Sequence, residues 1–376
     1  MTLTSDSSVD LVELAELEQQ LGNHDAALRG FATVRDVPDL AARVERNLGL
    51  VAFETGRPAD AVSHLQRAAA SGESGPAVTW PLIMALCNLG RHAEARMLAQ
   101  SQLEGPGRGD PSVRLDALAN LGTVAGMEGS LAEAEAHLRE ARLLATELGD
   151  VMRLANVVGD LAGVCFLEGR IAESARLLDE ATALSHRLGS RRFVSLHLGN
   201  LAHVRLAAGD LRGAGRAAAA GAEAALAIGD VGTALNVLEV PAVVAELSGD
   251  QPRAARWWER CARAEERMGR SDVAAVCWFR AAGVAAAVGN DDVARAATER
   301  AETAAVGMTT EELELHRERA AAALAGRPAP PPEAVTDAVS LPPLDTAYPD
   351  ATPRVVDELF DRVDRQLAAA GALSTA

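Results

Sequence analysis

Residues 111–150 read PSVRLDALANLGTVAGMEGSLAEAEAHLREARLLATELGD, two Ala- and Leu-rich runs, each closed by a glycine, Gly129 and Gly149. A run of good helix formers ended by Gly and then Ser or Asp is a helix stop followed by the cap of the next helix. The punctuation recurs downstream. Gly129, Gly169, Gly209, Gly249 and Gly289 are forty residues apart without slippage, and Gly149, Gly189, Gly229 and Gly269 keep the same period midway between them. The forty-residue unit is therefore helix–turn–helix–turn. Upstream, Gly22, Gly56 and Gly90 are spaced by thirty-four residues, which predicts shorter helices.

Composition agrees. Apolar residues make up 48% of the chain and aromatic ones 3%, so alanine and leucine carry the core and strand formers are scarce. All 36 basic residues are arginine; with no lysine there is neither a phosphate-gripping Walker loop nor a Schiff-base lysine. The formal net charge of −17 repels a phosphate backbone, so no nucleic-acid partner is expected. No apolar run is long enough for a bilayer and no leader precedes Asp10, so no membrane partner is expected either. Four cysteines, Cys87, Cys165, Cys261 and Cys277, are scattered without CxxC spacing, which suits a reducing, cytoplasmic setting.

Taking the mid-repeat glycine as zero, small residues recur seven before it, at Gly49, Gly122, Ala162, Ala202, Ala242 and Ala282. Leucine stands eight before it at Leu48, Leu121, Leu161 and Leu201. Small residues follow five after it, from Ala61 to Ala294, and twelve after it, from Ala68 to Ala301. This pattern resembles the tetratricopeptide repeat signature from Leu11 to about Val306, over eight units. The forty-residue spacing is similar to the extended repeats of kinesin light chains, of spindle-orientation adaptors and of actinobacterial multidomain transcription activators. The resemblance implies an all-α, right-handed α-solenoid of about eight helix pairs, with the first helix of each pair lining a concave groove. No ATPase, DNA-binding or protease region accompanies it here.

The chain reads as thirty-four-residue repeats over 1–103 and forty-residue repeats with a capping helix over 111–325. A Pro-rich linker at 326–353 leads to an amphipathic helix at 354–376, with Val356, Leu359, Phe360, Val363 and Leu367 on one side. Glu104-Gly-Pro-Gly-Arg-Gly-Asp110 marks a joint, and its Arg108-Gly109-Asp110 triplet is read as a chance adhesion-like tripeptide. Thr309 or Thr310 caps the helix that closes the array.

In each first helix the core positions lie 11, 8, 7 and 4 before the glycine, so positions 13, 9, 6 and 2 before it point the opposite way. Those columns collect side-chain amides and polar groups: Asn120, Asn156, Asp160, Asn200, His203 and Asn236, with Met127, Leu167 and Leu247 as a partly apolar floor. An amide carries both donors and an acceptor, so a row of them can pair with an extended peptide backbone. The bland reading, that these residues cap or bridge neighbouring helices, stands beside it. Pro241 falls inside a first helix and predicts a kink. Arg205, in a core column, calls for a carboxylate partner. Trp258 and Trp278 occupy core columns, whereas Trp257 lies outside them and is expected on the surface.

No HExxH, GxSxG or paired histidine set is present, and no cofactor or metal is called for. The expectation is a non-enzymatic scaffold or regulator that takes a peptide or partner segment in the groove. The alternative is a small-molecule sensor module of a transcriptional or biosynthetic regulator, with a pocket near Asn200, His203 and Asn236. An enzyme on a helical scaffold is the third. The terminal helix docks in cis or on a partner; in cis it would compete with ligand for the groove and autoinhibit.

Overall fold

The computed structural model describes residues 5–20, 24–73, 75–105, 109–327, 339–341, 344, 348 and 350–374. Among these residues there are eighteen α-helices, one short 3-10 turn and no strand. Gly22, residues 106–108 and most of the Pro-rich linker lie outside the described residues. The chain divides into two compact units, residues 1–170 and 171–376.

The first unit holds α1 (Ser5–Gln20), α2 (His24–Val34), α3 (Ala41–Glu54), α4 (Pro58–Ala70), α5 (Pro76–Asn88), α6 (His92–Glu104), α7 (Pro111–Met127), α8 (Leu131–Leu148) and α9 (Val151–Leu167). The upstream helices are the shorter ones, as the tighter glycine spacing predicts. Each helix packs on its successor, and first helices of consecutive pairs also touch, α5 on α7 and α7 on α9. The punctuating glycines sit where only glycine is unstrained, Gly129 at φ +80° and Gly149 at φ +66°. Asp110 and Asp150 then cap α7 and α9 by accepting from Ser112 N and Arg153 N. Asp110 of the adhesion-like triplet is thus a helix cap.

The column of small residues marks close helix crossings. A Cβ on Gly122 would lie 2.5 Å from Leu138 Cγ, and one on Gly49 would lie 2.6 Å from Leu65 Cγ. The same offset pairs the same residue types in two repeats, so the glycine exists to admit the leucine. That contact is what the periodicity encodes.

The second unit holds α10 (Ile171–Arg187), α11 (Arg191–Ala207), α12 (Leu211–Leu226), α13 (Val231–Leu247), α14 (Gln251–Arg267), α15 (Ser271–Ala287), α16 (Asp291–Ala304), α17 (Glu311–Leu324) and α18 (Pro353–Ser374). Ser190, Asp210, Asp230 and Asp250 cap the helices that follow them, and Thr310 caps α17. α13 continues as one helix from Val231 to Leu247 with Pro241 inside it, although proline supplies no backbone N–H, and α5 likewise contains an internal Pro81. Arg205 is 1% exposed and finds its carboxylates in Asp210, at 2.7 Å, and Asp179, at 3.8 Å. The four cysteines are buried and reduced. No described helix is long and apolar enough to cross a membrane.

In this unit the first helices α11 and α13 pack together, whereas no comparable contact joins the second helices α12 and α14. α18 packs against α12, α13 and α14 and fills that space. Its Val356, Leu359, Phe360 and Val363 are buried in the core shared with Ala222, Trp257 and Trp258, each such side chain contributing roughly 1.5–3 kcal/mol. The described parts of the connecting segment run along the same unit. Val339 N donates to Ala208 O at 3.2 Å. Arg216 Nε donates to Tyr348 O at 3.1 Å, and Arg212 Nη2 pairs with Asp350 at 3.1 Å.

Candidate functional site

The residues opposite the core columns of the first helices fall into two groups, some exposed and some buried. In the first unit, Asp160 on α9 is exposed and Asn156 is half-buried. Thr123 Oγ1 donates to Asp160 Oδ2 at 3.3 Å, tying α7 to α9 along that face. Asp160 is open to solvent on one side, yet desolvation by the surrounding protein, offset in part by the Thr123 hydroxyl, raises its carboxyl to about 6. Its exposure moderates that rise. Met127 on α7 and Leu167 on α9 are also exposed.

Asn120 is a correction. It is 5% exposed, and its Nδ2 donates to Gln102 Oε1 at 3.1 Å. The amide bridges α7 to α6 and is sealed from any ligand, which is the structural role its column also allows. Asn47, the counterpart in an earlier repeat, is buried and donates to Glu16 at 2.7 Å. In these two repeats the amide is a strut.

In the second unit Asn200, His203 and Asn236 are all exposed, the first two on α11 and the third on α13. Leu196, one turn before Asn200, is 47% exposed and supplies an apolar neighbour. α11 and α13 approach closely enough that a Cβ on Gly199 would meet Val237 Cγ2 at 2.9 Å. Two amides, an imidazole and a leucine therefore share the surface of two touching helices. His197, by contrast, is buried, hydrogen-bonds to Ser185 Oγ at 2.9 Å and is pushed down to about 4 by desolvation, so it is a neutral core histidine.

A feature that the columns only half announced lies between α15 and α17. A cavity of about 170 Å³ is lined by Glu246, Phe279, Arg280, His316 and Arg319, among others. Arg280 stands in the nine-before column, but α17 covers it, and its guanidinium stacks over Trp258 at 4.1 Å. Glu246 pairs with Arg319 at 3.4 Å and with Arg280 at 3.7 Å. Burial, helped by the two arginines, pushes His316 down to about 3, so it is neutral. Nearby Glu239 is raised to about 7, chiefly by desolvation, with Arg280 opposing and Glu265 adding to the rise. Nothing in the spacing of α17 pointed to His316 or Arg319.

The other side of the second unit belongs to α18. Trp257 is 4% exposed, not on the surface as its column predicts, because α18 covers it. α18 packs on α12, α13 and α14 and leaves Asn200 and Asn236 exposed, so as docked it does not cover them. Among the described residues no three His, Cys, Asp or Glu side chains converge as metal ligands.

Helix pairs at this spacing, with small-residue crossings and exposed first helices, define a tetratricopeptide-type α-solenoid. No protein-family model matches the chain, and no curated protein matches it in sequence. Solved structures do. A Rap protein complexed with Competence and Sporulation Factor aligns with 81% of this chain and 88% of its own, at TM-score 0.56 and 14% identity. The apo form of the quorum sensor NprR from B. thuringiensis aligns over 81% of this chain and 89% of its own, at TM-score 0.53 and 11% identity. BtubC from P. vanneervenii aligns over 67% of this chain and 98% of its own, at TM-score 0.51 and 19% identity. At these identities the likeness is one of fold.

Proposed function

We propose that this chain is a non-enzymatic interaction protein that holds a peptide or an extended partner segment against its first helices. The observation that carries the reading is the exposed group Leu196, Asn200, His203 and Asn236 on the adjoining α11 and α13. Amides on neighbouring helices can each donate to and accept from a peptide backbone, and Leu196 adds apolar contact without a strict side-chain code. The likeness in fold to a Rap protein solved in complex with Competence and Sporulation Factor is in keeping with a bound partner. In the first unit Asn156 offers the same amide chemistry and Asp160 a carboxylate that accepts. A cytoplasmic setting and no nucleic-acid or membrane partner complete the reading, in keeping with the net charge of −17. The test is affinity capture from the source cell with the unaltered chain and with Asn200→Ala/Asn236→Ala. The captured partner should be lost with helicity retained; undiminished capture would remove the assignment.

A second reading, a small-molecule sensor, is favoured by one observation, the cavity under α17 with Arg280, Arg319 and neutral His316. Thermal-shift screening separates the two. A metabolite that raises the Tm of the unaltered chain but not of Arg319→Gln supports the sensor, whereas peptides whose effect is lost in Asn200→Ala/Asn236→Ala support the first reading.

A further inference from the structure

α18 is a different kind of element from the sixteen paired helices. Each of those follows its partner across a tight turn, whereas α18 is reached only through the long segment after Arg327, so its departure breaks no pair. It lies between α12 and α14 with a two-part grip. Val356, Leu359, Phe360 and Val363 enter the groove. Along one flank, Asp357, Asp361 and Asp364 meet a strip of arginines on α14: Arg256 pairs with Asp357 at 3.4 Å, Arg260 with Asp361 at 2.8 Å and Asp364 at 2.7 Å, and Arg267 with Asp364 at 3.2 Å. Trp257 Nε1 donates to Asp357 Oδ1 at 2.8 Å, and Arg260 also lies 5.0 Å from the Phe360 ring. On the other flank Arg362 pairs with Glu223, and Gln366 Nε2 donates to Leu226 O at 2.9 Å.

In a chain of net charge −17, this strip makes α14 a local basic surface beside an apolar groove. Its requirement can be read from its own occupant. It takes a helix with apolar residues at i, i+3, i+4 and i+7 and carboxylates at i+1, i+5 and i+8, which is helix-in-groove recognition with an electrostatic rim. The carboxylates of Asp361 and Asp364 are about half exposed, so salt and a competing acidic helix can both reach the rim. A tethered helix holds such a site through its high effective concentration, not through any contact that a free helix could not make.

We propose that the groove between α12 and α14 is a docking site for an acidic amphipathic helix of a partner protein, kept filled by α18 until that partner arrives. This site is separate from the first-helix face and does not depend on the peptide reading above.

The experiment uses the full chain and a fluorescein-labelled synthetic peptide of residues 351–370, followed by fluorescence anisotropy. In the unaltered chain α18 excludes the probe. Asp361→Arg/Asp364→Arg repels the tethered helix from the arginine strip while altering only half-exposed positions, and it should bind the probe at least about tenfold more tightly. Adding Arg260→Glu to that variant restores an opposite-charge pair in cis and removes the arginine that the probe needs, so probe binding should fall back. Circular dichroism verifies that all three chains keep their helicity. Equal probe binding by the unaltered chain and the double variant, or binding indifferent to Arg260→Glu, overturns the proposal.

Discussion

The indole of Trp257 donates through Nε1 to Asp357 Oδ1 at 2.8 Å, a bond between residues one hundred positions apart. It joins the second helix of the seventh repeat to a helix outside the repeat pattern, and it gives the buried indole N–H of Trp257 its partner. Beneath it Phe360 is buried among Val356, Leu359 and Val363. Phe360→Ala should cost roughly 3–5 kcal/mol if α18 stays in place. If α18 instead lifts off, the array itself should keep most of its stability. In either case Trp257 emission should shift to the red, and urea denaturation with fluorescence detection reads both.

The glycine–leucine crossings predict sensitivity to a single methyl group. Gly122→Ala places a Cβ 2.5 Å from Leu138 Cγ, a branch point and not a freely moving tip. The substitution should destabilise by about 1–3 kcal/mol. Leu138→Ala in the same chain should relieve the clash, so that the two effects are less than additive in a double-mutant cycle.

The asparagines should separate into struts and surface groups. Asn120→Ala removes the bond to Gln102 from a buried amide and should cost roughly 1–2 kcal/mol. Asn200→Ala, at an exposed position, should stay within about 0.5 kcal/mol. Thermal denaturation of the two variants tests the division directly.

Arg205 is a nearly fully buried cation whose near partner is Asp210, at 2.7 Å, and Asp210 also caps α12 by accepting from Gly213 N. Asp210→Ala takes away both. Loss of the partner from a buried charge costs about 3–5 kcal/mol, and loss of a cap about 1 kcal/mol. Arg205→Met/Asp210→Asn removes the charge and its partner together while keeping a capping side chain, and should recover most of the stability lost in Asp210→Ala.

Glu239 introduces a pH dependence of definite sign. Its carboxyl is raised in the folded chain, from the ordinary 4.5 to about 7, chiefly by desolvation. The folded state therefore holds the proton more tightly than the unfolded one, so the favourable contribution is complete below about 4.5 and disappears as pH rises through about 7. Glu239→Gln should raise Tm at pH 8 by a few degrees, on the order expected for a kcal/mol-scale change, and flatten the Tm profile between pH 4.5 and 7. His316 works in the opposite direction. Its imidazole is lowered to about 3, so its contribution is present above about 6.5 and is lost as pH falls toward 3. His316→Phe should reduce the acid sensitivity of Tm below pH 6.

The sequence by itself determined the helix pairs, their turns, their caps and the small residues at the crossings. Each of these is set by interactions within a few residues or within one repeat, such as Gly149 at positive φ and Asp150 on Arg153 N, and so it leaves a period in the chain. The helical period also set a face opposite the core columns, but that face stays open only in part: Asn47, Asn120 and Val240 of the nine-before column are buried, whereas Asp160 and Asn200 are exposed. The terminal helix and its apolar side were legible for the same reason. Only the tertiary structure decided that Asn120 is spent on Gln102 while Asn200 and Asn236 stay open. It alone decided that α17 covers Arg280 and buries its own His316 against α15, and that α18 settles over Trp257 on α12, α13 and α14. Those outcomes depend on which surfaces meet across many residues of chain, and no local rule or repeat period records the meeting of residue 257 with residue 357.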